Sequence, residues 1–180
     1  PARGGCTLED EILDLVDMED QIVGKISRNA ITRRGIPKGF SIRVVNIILL
    51  NNKGETLLQQ RSDNRRMFPG CYELACGEHV QVGESYVNSA KRGLKEELGI
   101  KIPLRRIGKL GPSDGVSSFM EIYTGEYNGS FDNYDMKGIK QLLWVSLGEV
   151  RKMIAKDPKK FKSDTPKILK WYLRELDKIN

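Results

Sequence analysis

The stretch that decides the fold runs from Glu78 to Ile100 and reads EHVQVGESYVNSAKRGLKEELGI. It predicts a helix over about 84–98, because Ser85 is a good capping residue and apolar residues then recur every third or fourth position. The residues of this predicted buried face are Val87, Ala90, Leu94 and Leu98. Gly99 provides the stop signal. The stretch therefore predicts a short amphipathic helix that carries several carboxylates.

Two of these carboxylates differ in their predicted surroundings. Glu96 lies four residues after Arg92, so the two side chains share a helix face and can pair. Glu97 lies on a neighbouring face, beside the apolar stripe. A carboxylate at the rim of a core is suited to a hard cation such as Mg²⁺, which prefers oxygen ligands and keeps several waters. The pattern thus predicts a site for such a cation.

This spacing resembles the Nudix box, which reads Gly, five residues, Glu, seven residues, then Arg-Glu-apolar-any-Glu-Glu-any-Gly-apolar. The matching positions are Glu84, Arg92, Leu94, Glu96, Glu97, Gly99 and Ile100. Two positions differ: Glu78 stands at the first Gly of the box, and Gly93 stands at the Glu that follows Arg. In the family that Glu usually helps to hold the catalytic metal. Its absence removes one expected ligand or base.

Two interpretations of Glu78 are open at this point. Glu78 precedes the helix and could return a carboxylate to the site that Gly93 depletes. Alternatively, Glu78 is a solvated loop residue and the enzyme is impaired. Glycine inside a helix costs about 1 kcal/mol relative to alanine, so Gly93 has no evident benefit for stability.

The flanking segments resemble the branch of the Nudix family that includes isopentenyl diphosphate isomerase. The segments concerned are DLVDMEDQIVG, LLQQRS, FPG and ACGEHVQVGES. Cys76 matches the catalytic cysteine of that enzyme, and His79 takes the place of a metal-binding histidine. The isomerase uses three histidines, and this chain has one. Its paired glutamates fall here on or near Ser117 and Phe119, so isomerase activity is the less favoured alternative.

Length and composition indicate one domain over residues 1–180, because 180 residues fill a single core and are few for two. No apolar run approaches the length of a membrane span. Three cysteines, an odd number, and no recognisable secretory signal favour a reducing compartment, the cytoplasm. The net charge of +6 suits an anionic ligand, and no basic run is long enough for a nucleic-acid arm. The oligomeric state is open, a homodimer included.

The order of elements is strand-rich, helix, strand-rich, helix. A leading hairpin is predicted at about 8–35, and a strand pair at 40–62 turns around Gly54. A last amphipathic helix is predicted at about 165–178. Together these elements predict a mixed α/β protein, and the resemblance implies the Nudix-type α/β/α sandwich with a mixed central sheet.

The resemblance implies metal-dependent hydrolysis of a diphosphate linkage in a nucleoside di- or triphosphate or a related derivative. It implies Mg²⁺ or Mn²⁺ as cofactor and a small-molecule diphosphate as substrate. The metal ligands would be Glu97, Glu96 and Glu84, and the catalytic group would comprise Glu97, Glu96, Glu78 and Arg92.

Basic residues should meet the rest of the substrate, and Arg61, Arg65 and Arg66 precede the box loop. Glu121 and Glu126 are candidates for a general base outside the box. A catalytically weak domain that binds a nucleotide or a protein is the alternative, and Gly93 is the residue that favours it.

Overall fold

The computed structural model describes residues 10–178. Within that range the strands are β1 Ile12–Val16, β2 Ile22–Ser27, β3 Arg43–Leu50, β4 Glu55–Arg61, β5 Tyr72–Leu74, β6 Cys76–His79, β7 Arg105–Leu110, β8 Phe119–Glu126 and β9 Ile139–Ser146. The helices are α1 Arg28–Arg34, α2 Tyr86–Gly93, α3 Leu147–Lys156 and α4 Thr165–Asp177. A π-helical turn, Leu94–Leu98, extends α2.

The central sheet is mixed, as predicted. Its strands follow the order β5-β4-β3-β8-β7, while β6 pairs with β3 and β9 pairs with β4. The β3–β8 pair is parallel, in register from Arg43 opposite Phe119 to Leu50 opposite Glu126. The other pairs are antiparallel. Since β8 occupies one edge of β3 along its whole length, β6 pairs with the other edge at residues 44–47 and β4 pairs with that edge at Leu50.

Alternation along β3 divides the core into two layers. Val45, Ile47 and Leu49 point to the layer that contains α2. Ile48 points to the opposite layer, where α3 and α4 pack. Successive side chains of a strand leave on opposite faces, so a strand that is apolar at nearly every position is buried on both sides. The α/β/α sandwich predicted from the sequence is therefore confirmed.

The predicted hairpin at 8–35 contains a helix that the sequence analysis did not anticipate. Residues 8 and 9 of the predicted segment lie outside the described range. In the rest of it, β1 and β2 pair antiparallel, as a hairpin requires. The chain then forms α1, which Ser27 caps by accepting a hydrogen bond from the Ala30 N–H at 3.0 Å. No residue of α1 is buried, so this helix carries no apolar periodicity that could have marked it.

The helix of the box begins later than predicted and changes type before its end. Ser85 caps α2 by accepting a hydrogen bond from the Asn88 N–H at 3.2 Å. After Gly93 the chain widens into the π-helical turn, and Gly99 ends it with a positive φ of 68°. The Gly99 N–H donates to the carbonyls of Leu94 and Lys95. A π-helical turn rotates the residues it contains relative to an α-helix, and such turns are frequent at functional sites.

Among the helices within residues 10–178, none is long and apolar enough to cross a membrane.

Candidate active site

Arg92, in the last turn of α2, holds together three carboxylates from different segments. Its Nε lies 2.8 Å from Glu84 Oε1, and its Nη1 lies 2.7 Å from Glu78 Oε2 and 3.2 Å from Glu96 Oε2. Its Nη2 donates to the His79 carbonyl at 2.9 Å. A guanidinium has five N–H donors in a rigid fork, so it suits this multiple role. Arg92 thereby joins the loop before α2, strand β6 and the π-helical turn.

The charges in this network shift the pKa values in a consistent way. Hydrogen bonds to Glu84 are the main cause that raises the pKa of Arg92, which stays charged. Burial acts to raise the pKa of Glu84, but hydrogen bonds from Arg92 and the Gln81 amide leave it below its ordinary value. At Glu78, burial raises the pKa more than the hydrogen bond and charge of Arg92 lower it, so the pKa of Glu78 is raised. Glu84 is therefore an ionised anchor, and Glu78 is the carboxyl that gains a proton more readily.

Glu97 contacts Gln59 and not Arg92, so it has a different environment. It is half-buried, and Gln59 Nε2 donates a hydrogen bond to its Oε2 at 2.7 Å. The same Gln59 Nε2 donates to the Ala75 carbonyl at 3.2 Å, which fixes the amide. Burial, and then the negative charges of Glu73 and Glu78, raise the pKa of Glu97 well above its ordinary value. Lys162 offsets this increase only in part, and within residues 10–178 no cation forms an ion pair with Glu97 as Arg92 does with Glu84.

Gly93 and Glu78 fit together directly. A Cβ placed on Gly93 would lie 2.5 Å from Glu78 Cγ and 2.7 Å from Cys76 Sγ. Glu78 lies in β6 with a side chain that is 17% exposed, so it is not a solvated loop residue. The negative charge of Glu78 also acts on Glu97, whose pKa it helps to raise after burial and Glu73. The absence of a side chain at position 93 is what allows Glu78 to occupy this place.

Glu73 and Lys162 belong to the same region and were missed from the sequence. Glu73, in β5, has a side chain that is 7% exposed and lies 2.7 Å from Arg61 Nη1 and 2.9 Å from Lys162 Nζ. A charged residue in the apolar run of YELAC is the signal that could have revealed Glu73, since charges are almost never fully buried unless paired. Lys162 carries no sequence signal, because the loop after α3 brings it to β5 only through packing.

The three predicted substrate-binding arginines differ in how free their guanidinium groups are to contact a substrate. Arg61 is bound on all sides, since it pairs with Glu73 and donates from Nε and Nη2 to the Met67 carbonyl. Arg65 lies 3.5 Å from Asp135 and donates to the Gly138 carbonyl at 3.2 Å. Arg66 is exposed, and no side-chain partner for it occurs within residues 10–178. Arg66 is the most available of the three.

Cys76 and His79, which the resemblance to the isomerase singled out, lie in β6 with Glu78. Burial, followed by Glu97 and Glu78, raises the pKa of the Cys76 thiol well above its ordinary value. Burial lowers the pKa of His79 to about 3, so the imidazole is neutral at physiological pH.

The two candidate general bases outside the box differ in their surroundings. Glu121 pairs with Arg106 at 2.9 Å and accepts a hydrogen bond from the Tyr123 hydroxyl at 2.5 Å. Glu126 is exposed at the end of β8.

Oxygen chemistry at Glu78 and Glu97 fits a hard divalent cation. Burial, and then repulsion by the nearby carboxylates Glu73 and Glu78, raises the pKa of Glu97, and a bound cation would relieve this repulsion. Mg²⁺ needs only one or two protein carboxylates, because it keeps several waters. Within residues 10–178, no three His, Cys, Asp or Glu side chains converge closely enough to hold a metal alone. The donor set is thus suited to a hydrated Mg²⁺ and not to zinc.

Known proteins resemble this chain over most of its length. A Nostoc protein called an uncharacterized Nudix hydrolase is 31% identical over 90% of this chain and 95% of its own. The isopentenyl-diphosphate delta-isomerase 2 of Photorhabdus laumondii is 30% identical over 83% of this chain and 85% of its own. The crystal structure of DR0079 from Deinococcus radiodurans covers 89% of this chain and 98% of its own, with a TM-score of 0.78 and 26% identity.

The model of the NUDIX domain family matches residues 41–172, which include the whole Arg92 network and both layers of the sandwich. This chain therefore belongs to the Nudix family.

Proposed function

We propose that this chain is a hydrolase that uses Mg²⁺ or Mn²⁺ to cleave a diphosphate linkage in a nucleoside di- or triphosphate or a related derivative. The observation that carries the proposal is Glu97, a carboxyl with no cation paired to it in the described range, beside Glu78 and fixed by Gln59. Nudix relatives called hydrolases support the same class of reaction. The thiols of Cys71 and Cys76 are free, in agreement with a reducing compartment such as the cytoplasm.

Each residue of the site would have a separate task. Glu97 and Glu78 would hold the cation, which supplies charge neutralisation at the diphosphate and an acidified water as nucleophile. Arg92 would position Glu78 and Glu96 through the hydrogen bonds that join them. Glu84 would keep Arg92 in place, since it accepts from both Nε and Nη2. Arg66 would contact the outer phosphate.

The test is phosphate release from nucleoside diphosphates, nucleoside triphosphates and sugar nucleotides, with and without Mg²⁺ or Mn²⁺. Glu97→Gln should reduce turnover at least a hundredfold, because it removes a charged ligand while keeping the shape. Glu149→Gln is the matched control, since Glu149 is exposed on α3 and Lys152, at 3.8 Å, is the one ion-pair partner of its carboxylate within residues 10–178. Turnover that persists in Glu97→Gln would refute the assigned role.

A binding module without turnover is the second candidate, and Gly93 favours it. The paired exchange Glu78→Gly with Gly93→Glu restores the box pattern at both positions and avoids the overlap that Gly93→Glu alone would create. If Glu78 supplies the missing carboxylate, the exchanged protein should be no more active than the native one. A gain of tenfold or more would instead show that the native site is impaired, and would support the binding module.

Isomerase activity is the third candidate, because isomerases are among the relatives. Against it, Cys76 is fully buried beside Gly93, and one histidine cannot supply a three-histidine metal site. Isopentenyl diphosphate incubated with the enzyme and Mg²⁺ should remain unconverted, as followed by proton NMR. Formation of the isomer would overturn this exclusion.

A further inference from the structure

A cleft of about 620 Å³ lies between α3, α4 and the end of β7, on the layer opposite to α2. Its apolar floor includes Leu110, Val116 and Ile154, which are buried members of the α3/α4 layer. Glu97 and the Arg92 network lie on the α2 layer, so the central sheet separates the cleft from the candidate active site. The volume is in the range of pockets that hold a small molecule.

Trp171 gives the cleft an aromatic wall in a fixed position. It extends from α4, and its Cζ2 and Cη2 atoms lie 2.5 Å from where a Cβ on Gly108 would be. Only a glycine on β7 leaves room for the indole there. Tryptophan offers a large flat face on which a planar ring can stack.

The first turn of α4 is fixed to the loop that borders the cleft. Asp164 accepts hydrogen bonds from the backbone N–H of Ser117, at 3.0 Å, and from its hydroxyl. Lys167 donates to the Gly115 carbonyl. These contacts hold the two walls together at one end, so the cleft is largely formed in the absence of a ligand.

The rim of the cleft is strongly cationic. Arg151, Lys167, Lys170 and Arg174 line it, with Asp114 as the acidic residue among them.

Some of these charges already have partners. Arg151 lies 3.1 Å from Asp177, and the Asp114 carboxylate accepts the Gly111 N–H at 2.8 Å.

Lys170 and Arg174 are the uncompensated pair. They are four residues apart on α4, so they share one helix face. Both are exposed, and neither has a side-chain partner within residues 10–178. A pair of adjacent cations above an apolar floor is suited to a phosphate, which accepts charge-assisted hydrogen bonds from both.

We propose that this cleft is a second binding site, which takes a phosphorylated small molecule with a planar ring, of the nucleoside monophosphate class. Lys170 and Arg174 bind the phosphate, and Trp171 stacks on the ring. The charge at the rim selects an anion, and the apolar floor selects a ligand that also has a flat hydrophobic part. The site is independent of the hydrolytic chemistry, since the central sheet lies between them.

Tryptophan fluorescence gives a direct test. The chain has two tryptophans, and Trp144 packs in the α2 layer, so Trp144→Phe leaves Trp171 as the reporter. AMP is the probe, because it has no diphosphate linkage to cleave, and EDTA is present to remove metal from the active site. We expect a saturable change with AMP that adenosine or inorganic phosphate alone produces at least tenfold more weakly.

Charge reversal identifies the site. Lys170→Glu with Arg174→Glu should weaken AMP binding at least tenfold. Lys152→Glu with Lys156→Glu is the matched control, because it changes the charge equally on exposed positions of α3 outside the cleft. Glu97→Gln should bind AMP as the native protein does.

Calorimetry on the chain with both tryptophans provides the same comparison if Trp144→Phe does not fold. The proposal is overturned if AMP gives neither a saturable fluorescence change nor heat of binding. It is also overturned if Lys170→Glu with Arg174→Glu binds AMP as tightly as the control does. Loss of AMP binding in Glu97→Gln would assign the AMP to the active site instead, and would equally overturn it.

Discussion

Replacing Gly93 by alanine is expected to destabilise the protein, although alanine is the better helix former. The new Cβ would lie 2.5 Å from Glu78 Cγ and 2.7 Å from Cys76 Sγ, closer than carbon and sulfur atoms pack. Neither neighbour yields easily, because Arg92 holds Glu78 and the Cys76 side chain is fully buried. Overpacking of this kind costs about 1–3 kcal/mol.

The helix propensity of alanine offsets part of this cost, by about 1 kcal/mol. The net effect of Gly93→Ala should therefore be a loss of up to about 2 kcal/mol in the free energy of unfolding. Urea unfolding followed by tryptophan fluorescence measures it, with the slope of the transition unchanged. Gly148→Ala is the matched control, since nothing lies within 4 Å of a Cβ there, and it should be neutral or slightly stabilising.

A double-mutant cycle separates overlap from other causes. In a Glu78→Ala background the contact with Cγ is gone, so Gly93→Ala should cost about 1 kcal/mol less than in the native protein. Removing Cys76 Sγ as well, by Cys76→Ala, should make Gly93→Ala neutral or stabilising by up to about 1 kcal/mol. If Gly93→Ala costs the same in all three backgrounds, Glu78 and Cys76 do not occupy the space, and the reasoning fails.

Two further predictions concern carboxylates. Because the folded protein raises the pKa of Glu97 above the unfolded value of about 4.3, ionisation of Glu97 destabilises the fold as the pH rises through its folded pKa. Glu97→Gln should therefore be more stable than the native protein in metal-free buffer at pH 7, by roughly 1–2 kcal/mol, and the gap should close near pH 4 in thermal melts. Asp20, in the β1–β2 turn at a φ of 61°, accepts hydrogen bonds from Arg43, Lys109 and Tyr86. Burial opposes ionisation there, but the cations leave its pKa below the ordinary value, so this stabilisation exists above about pH 4 and disappears as the pH falls through the folded pKa. Asp20→Asn, which tolerates the positive φ, should cost about 2–3 kcal/mol at pH 7 and little at the acid limit of folding; an equal cost at both pH values would contradict the assignment.

Local signals predicted much of the fold. Gly54 was expected to turn the chain between two strands, and it does so with a φ of 73°. Ser85 and Gly99 were expected at the two ends of the box helix, and they cap the observed element. Such positions depend on backbone conformation and nearby hydrogen bonds, which a short sequence window contains.

What the sequence did not reveal depends on contacts between distant segments. Lys162 reaches Glu73 across 89 positions of the chain, and neither residue stands in a motif. Glu78 and Gly93 each depart from the Nudix box. Their mutual fit depends on a contact in the folded protein, so the sequence allowed either interpretation of Glu78. The π-helical turn could not be predicted either, since the spacing of Leu94 and Leu98 also fits an ordinary α-helix.

The parallel pairing of β3 with β8 has a consequence for how the chain folds during synthesis. Residues 43–50 emerge from the ribosome long before residues 119–126, which complete the middle of the sheet. Until then, one edge of β3 presents unpaired backbone donors and acceptors, an arrangement that favours association between chains. Pairing over such a separation is slow to form, so folding of the nascent chain should be limited by the arrival of β8. The nascent chain is thus most prone to aggregate between the emergence of β3 and the emergence of β8.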